Sequence, residues 1–580
     1  MNIIINGKKI KAEVGESILD VAERNKIAIA NLCRHKDLDI KANCRLCMVE
    51  IKGRKGLLPA CSTLSEEGME VITESPAISK ARKINLELIF SQHCEECDDC
   101  VRKYNCQLLD LAEKYKIDIS RFKDRKKNFP VYEFGPALIF DSSKCVDCRN
   151  CVEMCERQGI GFLELNNEDG NTNVVPSKNK LKDCIYCGQC LAHCPAGAFE
   201  AVGEFEDIEK PLSDKNKFII FQIAPSIRSS IGEEFDLPYG KIMTEQIVAG
   251  IKELGADKVF DVSVGADFTS FEEAKELVER LVGGGVLPMF TSCCPAWVKF
   301  VEFYHPELIP NLTSARSPQI MLGGLIKTYF AEKQGLDPKN IIVVSVMPCV
   351  AKKYEIKREE LKINGFPAVD FVLTTRELAF LFKKRDIDLA KIKPVKFDNP
   401  LGESSGAGVI YGASGGVMES ALRVACEMIS GKKLSCLDFK EVRGQEGIKK
   451  ADVKIGDRII KVAAVSGIGN VKKIIEELKF NQRAYDYVEV MACPGGCIGG
   501  GGQPIAADKE IRKKRAESLY FIDKIKKIKS ALKNPVLKKV YKDFLIDQEK
   551  IQKIFHTKYF PKNKKIKLQK YELYNKSHFN

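Results

Sequence analysis

Apolar and polar residues alternate with period two over residues 2–5 and 9–13, on either side of Asn6-Gly7. That pattern predicts a hairpin turning at the Asn-Gly pair. Ser17 precedes a stretch of helical period and predicts a helix capped there and running to about Asn25. A second helix is expected over 78–90. Residues 209–217, with Pro211 and several charges, read as a linker. Beyond it the pattern changes. Short, wholly apolar runs at 218–224, 258–264, 286–290 and 341–348 alternate with amphipathic stretches at 244–254 and 270–282. Apolar strands separated by helices predict α/β structure, a mostly parallel sheet with helices on both faces. Past residue 523 the chain reads as helical and amphipathic in places.

Composition sharpens this picture. The chain has 580 residues, 44% hydrophobic and 29% charged, which permits several cored domains and excludes a disordered or collagen-like chain. The longest apolar stretches, such as Phe218–Ile223, are far shorter than the ~20 residues of a membrane helix. No secretory signal is visible at residues 1–6, so a cytoplasmic protein is expected. The net charge is +13. From 523 to 580 there are seventeen Lys against five Asp or Glu, so that segment carries about +12 of it. A solvated lysine-rich helical tail explains this as well as a docking surface for an acidic partner does. Most informative are the 23 cysteines. In a chain without a secretory signal they point to metal binding rather than disulfides.

Cys145, Cys148, Cys151 and Cys155 have C-x2-C-x2-C-x3-C spacing, and Cys184, Cys187, Cys190 and Cys194 repeat it, with Pro195 following. This is the two-cluster ferredoxin run, in which the fourth cysteine of each run ligates the other cluster. Cys145, Cys148, Cys151 and Cys194 would hold one [4Fe–4S] cluster, and Cys184, Cys187, Cys190 and Cys155 a second. Two zinc sites are the competing explanation, but they seldom use this spacing. Cys33, Cys44, Cys47 and Cys61, following the hairpin and helix, resemble a plant-type [2Fe–2S] ferredoxin set with a longer first gap. A zinc ribbon is the alternative. Then come His93, Cys94, Cys97, Cys100 and Cys106. Either four cysteines or His93 with Cys97, Cys100 and Cys106 would bind a further [4Fe–4S] cluster, a neutral imidazole tending to raise its potential. Successive clusters make an electron wire.

The wire needs a terminus. TSCCPAW at 291–297, MPCVAKKYE at 347–355 and EVMACPGGCIGGGGQP at 489–504 each place cysteine at the end of an expected buried strand, where open sheets build their sites. Together, in this order, they resemble the signatures of [FeFe]-hydrogenases, and the upstream cluster motifs match that family too, over about residues 1–520. The resemblance implies reversible chemistry, two protons and two electrons giving H2. Cys294, Cys349, Cys493 and Cys497 would hold a [4Fe–4S] cubane that Cys497 bridges to a two-iron subsite with CO, cyanide and dithiolate ligands. The resemblance makes Ala224, Pro225, Ser226, Ser317, Gln319, Met347 and Met491 pocket residues, and Lys352 a buried cation facing a cyanide; a surface lysine is the alternative. Cys293 would be the proton donor, supplied by Glu273, Glu276 and Arg280, which share a helix face, and by Thr313, where serine is usual. A capping box formed by Ser270 and Glu273 is the structural alternative for Glu273. Tyr411 stands where phenylalanine is usual, and its phenol would tune the site. Cys426 and Cys436 read as structural.

The expected architecture is multidomain α+β and α/β. It comprises a β-grasp [2Fe–2S] domain over 1–77, a small helical His/Cys3 domain over 78–125, a two-[4Fe–4S] ferredoxin domain over 126–208, a two-lobed catalytic domain over 209–522 and a basic helical extension over 523–580. Ferredoxin is the expected electron partner. One alternative makes the chain the catalytic subunit of a multimeric NAD(P)-linked hydrogenase with flavin subunits; another makes it a hydrogen sensor or relay without fast turnover. VAAVSGIGN at 462–470 imitates a dinucleotide-binding loop but has Lys472 where the third glycine belongs. Nucleic acid is not an expected partner, and no membrane span is expected.

Overall fold

In the computed structural model the described residues are all except 92, 94–96, 98–99, 124–125, 127–128, 169–170, 431–438, 456–457, 506 and 564–580. Cys94 and Cys436 therefore lie outside them. The chain begins with strands Asn2–Ile5 and Lys8–Lys11, joined through Asn6 and Gly7 in the left-handed region. The first of these pairs in parallel with Glu70–Ile72 at the centre of a five-stranded sheet. Ser17 caps the helix Ile18–Arg24 by accepting from the Asp20 amide, and that helix buries Ile18, Leu19, Val21 and Ala22 against the sheet. Ser75 caps the next helix, Pro76–Phe90. A three-stranded sheet (131–134, 138–141 and 199–201) then frames the paired cysteine runs.

Two four-stranded sheets follow. In the first, Phe218–Ile223 lies between Lys258–Asp261 and Ile341–Met347, with Phe371–Thr374 at the edge, all parallel. In the second, Met289–Phe290, Tyr487–Met491 and Arg458–Ser466 run parallel, and Ile448–Ile455 closes the edge antiparallel. The strands Phe218–Ile223, Ile341–Met347 and Tyr487–Met491 are buried almost throughout, as expected when helices cover both faces. Residues 224, 293, 349 and 493 all follow the C-terminal ends of these strands, so both sheets aim their loops at one place.

Several sequence expectations change. The run 258–264 is strand only to Asp261, whose carboxylate accepts from the Ser263 amide and starts the helix Val262–Gly283. Ser270 is thus mid-helix and forms no capping box with Glu273; its hydroxyl instead bonds the Ala266 carbonyl and the Tyr411 and Ser420 hydroxyls. Residues 209–213 belong to the helix Phe205–Ser213, with Pro211 inside it, which leaves only 214–217 as linker. Of 286–290, only Met289 and Phe290 form strand. Beyond 523, the helices Pro535–Asp543 and Gln548–Phe555 pack Leu537, Val540, Phe544, Ile551, Ile554 and Phe555 into the core of the first sheet. Among the described residues no helix is long and apolar enough to cross a membrane.

Candidate active site and electron relay

The cysteine sets converge in the groupings their spacing implies. Cys33 lies within hydrogen-bonding reach of Cys44, and Cys47 of Cys61, with all four thiols buried. Charge on Cys145 and Cys194 raises Cys148 and Cys151, while charge on Cys155 raises Cys184, Cys187 and Cys190, each on top of a larger effect of burial. The fourth cysteine of each run therefore sits with the other run. His93, Cys97, Cys100 and Cys106 line one small cavity. His93 Nδ1 lies 3.0 Å from the Lys144 carbonyl, a contact that fixes the ring and presents Nε2, as in metal-bound histidines. Burial lowers the His93 pKa from the ordinary imidazole value, and the Lys144 carbonyl partly opposes it. Among the described residues no three or more His, Cys, Asp or Glu side chains are arranged to hold a single metal ion.

These sets adjoin one another. Cys148 packs with Cys33 and Cys44, and Arg102 donates to the Cys194 carbonyl from beside Cys100. At the other end, Cys493 Sγ lies 3.8 Å from the Cys187 carbonyl. A Cβ on Gly501 would stand 2.6 Å from Gly188 Cα, so the two backbones touch there. Gln189 donates to the Gly499 carbonyl (2.9 Å), and Gln158 donates to the Ala492 carbonyl (2.9 Å). Gln158 also accepts from the Ile468 amide at 2.7 Å, and Lys472 bonds the Gly159 carbonyl. The helix start that imitates a dinucleotide site is thereby filled by the ferredoxin-like unit.

Cys294, Cys349, Cys493 and Cys497 line an enclosed cavity with Cys293, Ala224, Pro225, Ser226, Gln319, Met347, Lys352, Tyr411 and Met491. Gly496 (φ +98°) lies against the Ser414 amide and Gly500 against the Pro348 carbonyl, where a Cβ would clash at 2.6 and 2.2 Å. Burial alone would lower Lys352, yet Glu355 at 2.8 Å holds its ammonium above the ordinary value. Lys352 also donates to the Cys293 carbonyl at 3.0 Å. Glu355 accepts from Ser317 and Gln319 as well; this organiser of the pocket was present in MPCVAKKYE, but no local signal marked it. Among the described residues the Ser226 hydroxyl and the Gln319 amide oxygen are buried without a protein partner. Such orphaned polar atoms, beside a cation and four thiols in an apolar cavity, fit a bound group that carries its own polar ligands.

Beyond Cys293 a polar chain leads outward along the 262–283 helix. Burial pushes Glu273 up to about 8, with Glu276 and Glu489 adding to the effect. Its Oε1 accepts from Tyr487 at 2.9 Å, a partner the sequence did not suggest, and its Oε2 has no partner among the described residues. Burial, and then Glu273, raise the Cys293 thiol well above its usual range. Glu276 Oε2 accepts from Thr313 at 2.8 Å, and Glu276 Oε1 meets Arg280 at 2.5 Å. Arg280 is fixed further by the carbonyls of Val286, Asn311 and Leu312. The Tyr411 hydroxyl turns to Ser270 at 2.9 Å and so is engaged in the protein.

Fold and site together define an iron–sulfur redox enzyme that delivers electrons to an enclosed cavity in contact with a line of acid–base groups. Residues 217–501 match the iron-only hydrogenase large subunit, C-terminal domain, and 509–562 the iron hydrogenase small subunit. Residues 1–76 match a 2Fe-2S iron-sulfur cluster binding domain, 144–198 a 4Fe-4S dicluster domain, and 82–121 the NADH-ubiquinone oxidoreductase-G iron-sulfur binding region. The chain is 39% identical to the NADP-reducing hydrogenase subunit HndD of Solidesulfovibrio fructosivorans, over 97% of this chain and 99% of that one. It is 39% identical to iron hydrogenase 1 of Clostridium pasteurianum, over 96% and 99%. A solved [FeFe]-hydrogenase from Chlamydomonas reinhardtii superposes with a TM-score of 0.56 at 36% identity, covering 62% of this chain and 99% of that one. The chain belongs to the iron-only, or [FeFe], hydrogenase family: it is an oxidoreductase that makes and consumes H2, with ferredoxin-like iron–sulfur units ahead of an α/β catalytic fold.

Proposed function

We propose that the chain holds one [2Fe–2S] and three accessory [4Fe–4S] clusters in the domains 1–77, 78–125 and 126–208. In this reading the catalytic domain, 209–522, holds a cubane on Cys294, Cys349, Cys493 and Cys497. The same cavity would hold a two-iron subsite with CO, cyanide and dithiolate ligands, which would supply the chemistry that combines protons and electrons to H2. The observation that carries this reading is the convergence of those four thiols with Cys293, Lys352 and the unpartnered Ser226 hydroxyl on one apolar cavity, in contact with the Cys187 loop. Lys352, Ser226 and Gln319 orient the bound group's polar ligands, while Ala224, Pro225, Met347, Met491 and Tyr411 exclude water. Cys293 holds a proton as a neutral thiol, and Glu273, protonated up to about pH 8, resupplies it from the Thr313–Glu276–Arg280 side. In fully matured protein, iron should reach about 20 per chain, with infrared bands of CO and cyanide. Absence of those bands in active protein would exclude the two-iron subsite.

A cytoplasmic ferredoxin is the proposed partner, docking on the N-terminal units. The isolated chain should then evolve H2 from reduced ferredoxin at a rate that falls with salt. The full-length likeness to an NADP-reducing hydrogenase subunit favours a second reading, a catalytic subunit within an NAD(P)-linked assembly. Activity with dyes but with no ferredoxin, and NADH-driven H2 formation only with flavoprotein subunits present, would establish that one instead.

A further inference from the structure

The segment beyond the 548–555 helix returns to the proton-carrying face of the catalytic domain. His556 pairs with Ala315, the Arg316 amide donates to the Phe555 carbonyl (2.7 Å), and the Thr557 amide donates to the Ser314 carbonyl (2.9 Å). This strap sets the His556 imidazole between two carboxylates of one helix. Ser314 Oγ lies 2.8 Å from Glu276 Oε2 and 2.9 Å from His556 Nδ1. His556 Nε2 lies 3.1 Å from Glu272 Oε2, and the Tyr541 phenol donates to the other oxygen of Glu272. Glu272 is buried, whereas the imidazole is 10% exposed and keeps contact with solvent.

We propose that His556 is a proton-relay residue, forming with Ser314 a second branch that supplies Glu276 independently of the Arg280 side. The proposal rests on the reading that Glu276 leads to Cys293. Three hydrogen bonds join Glu276 to Glu272 through Ser314 and His556. An imidazolium and one hydroxyl supply three protons, one for each bond. The Nδ1 proton passes to Ser314 Oγ as the serine proton passes to Glu276 Oε2. That leaves a neutral imidazole still donating from Nε2, and solvent returns its proton. The Arg280 side offers no equivalent carrier, because a guanidinium does not release its proton and here it caps Glu276 Oε1. The charged groups around the imidazole are Glu272 and, through Ser314, Glu276. Tyr541 and Lys275 stand beside Glu272, and Arg316 donates to the His556 carbonyl at 2.8 Å. His556 acts through Ser314 and Glu276 and touches no reacting atom.

The test uses the fully matured chain and dye-driven H2 evolution across a pH series, with cofactor infrared bands and thermal stability as controls on folding. His556→Ala and Ser314→Ala should each slow turnover by up to about tenfold and reshape its pH profile, against about 10²-fold or more for Glu276→Gln. His556→Gln, which can still hydrogen-bond but cannot shuttle, should be as slow as His556→Ala. Added imidazoles should rescue His556→Ala to a degree that follows their pKa. Full rate and an unchanged pH profile in His556→Gln and Ser314→Ala, with Glu276→Gln impaired, would overturn the branch alone. A fully active Glu276→Gln would overturn the underlying path and the branch with it.

Discussion

Cys293 immediately precedes a proposed cubane ligand and lines the same cavity, with Glu273 as well as Cys294 and Cys497 beside it; in the proposed reading it is not a ligand. Cys293→Ala should therefore leave the iron content unchanged and lower turnover in both directions by about 10²–10⁴-fold. Iron analysis with H2 evolution and uptake checks this, and near-normal rates would show that protons arrive elsewhere. Glu273 gives a pH signature. Its folded-state pKa of about 8 lies above the ordinary carboxylate value, so the unfolded chain loses this proton first. Native stability from this group accordingly falls as pH rises from about 4.5 to 8. Glu273→Gln removes that loss. The melting temperature of the variant relative to the parent should rise across this interval, even though its turnover drops. A constant difference would place Glu273 in a wetter setting.

At the scale of elements, the contact of Gly188 with Gly501 brings the ferredoxin-like unit against the catalytic loops. Gly501→Ala must push the two apart, because its Cβ would meet Gly188 Cα, C and O at 2.6–2.8 Å. Turnover that depends on an external electron donor should fall, whereas D2–proton exchange, which needs no electron supply, should persist. Equal losses in both assays would mean that the cubane itself had been disturbed. Legibility in the sequence follows the same division into local and distant. The hairpin at Asn6-Gly7 and the Ser17 cap were readable, because neighbours in sequence make those contacts. Residues 262–264 read as strand because the helix there is buried on every side, which erases the helical period. Ser270 and Glu273 looked like a helix start because a cap and a buried mid-helix serine share one local pattern. Tyr487 and Gln158 gave no signal, since their partners come from distant segments, as do Ser317 and Gln319 for Glu355.

For the whole molecule, the helices beyond residue 534 are part of the catalytic core rather than a solvated tail. Leu537, Val540, Phe544, Leu545, Ile551, Ile554 and Phe555 are buried with the strands of the first sheet. Each contributes about 1.5–3 kcal/mol of burial, together as much as the about 5–15 kcal/mol that holds a domain folded. Truncation after Asn534 should leave the catalytic domain unfolded, measured as loss of soluble protein and of a cooperative melt. A soluble, cooperatively melting truncation would show that the core closes without this segment. The basic character of these helices coexists with that role, because Lys538, Lys539, Lys542, Lys550 and Lys553 lie on the faces their apolar residues leave free.

The strap at 555–557 also imposes an order on biosynthesis. The five-stranded sheet and the paired cysteine runs draw their contacts largely from segments already translated, and domains form from the N-terminus as the chain emerges. The Ser314–Arg316 stretch acquires its partner only when residues 555–557 have been made. The nascent chain can thus complete its relay units while the catalytic half is still open on one side. The face that carries Glu272 and Glu276 cannot close until residues 555–557 have been made.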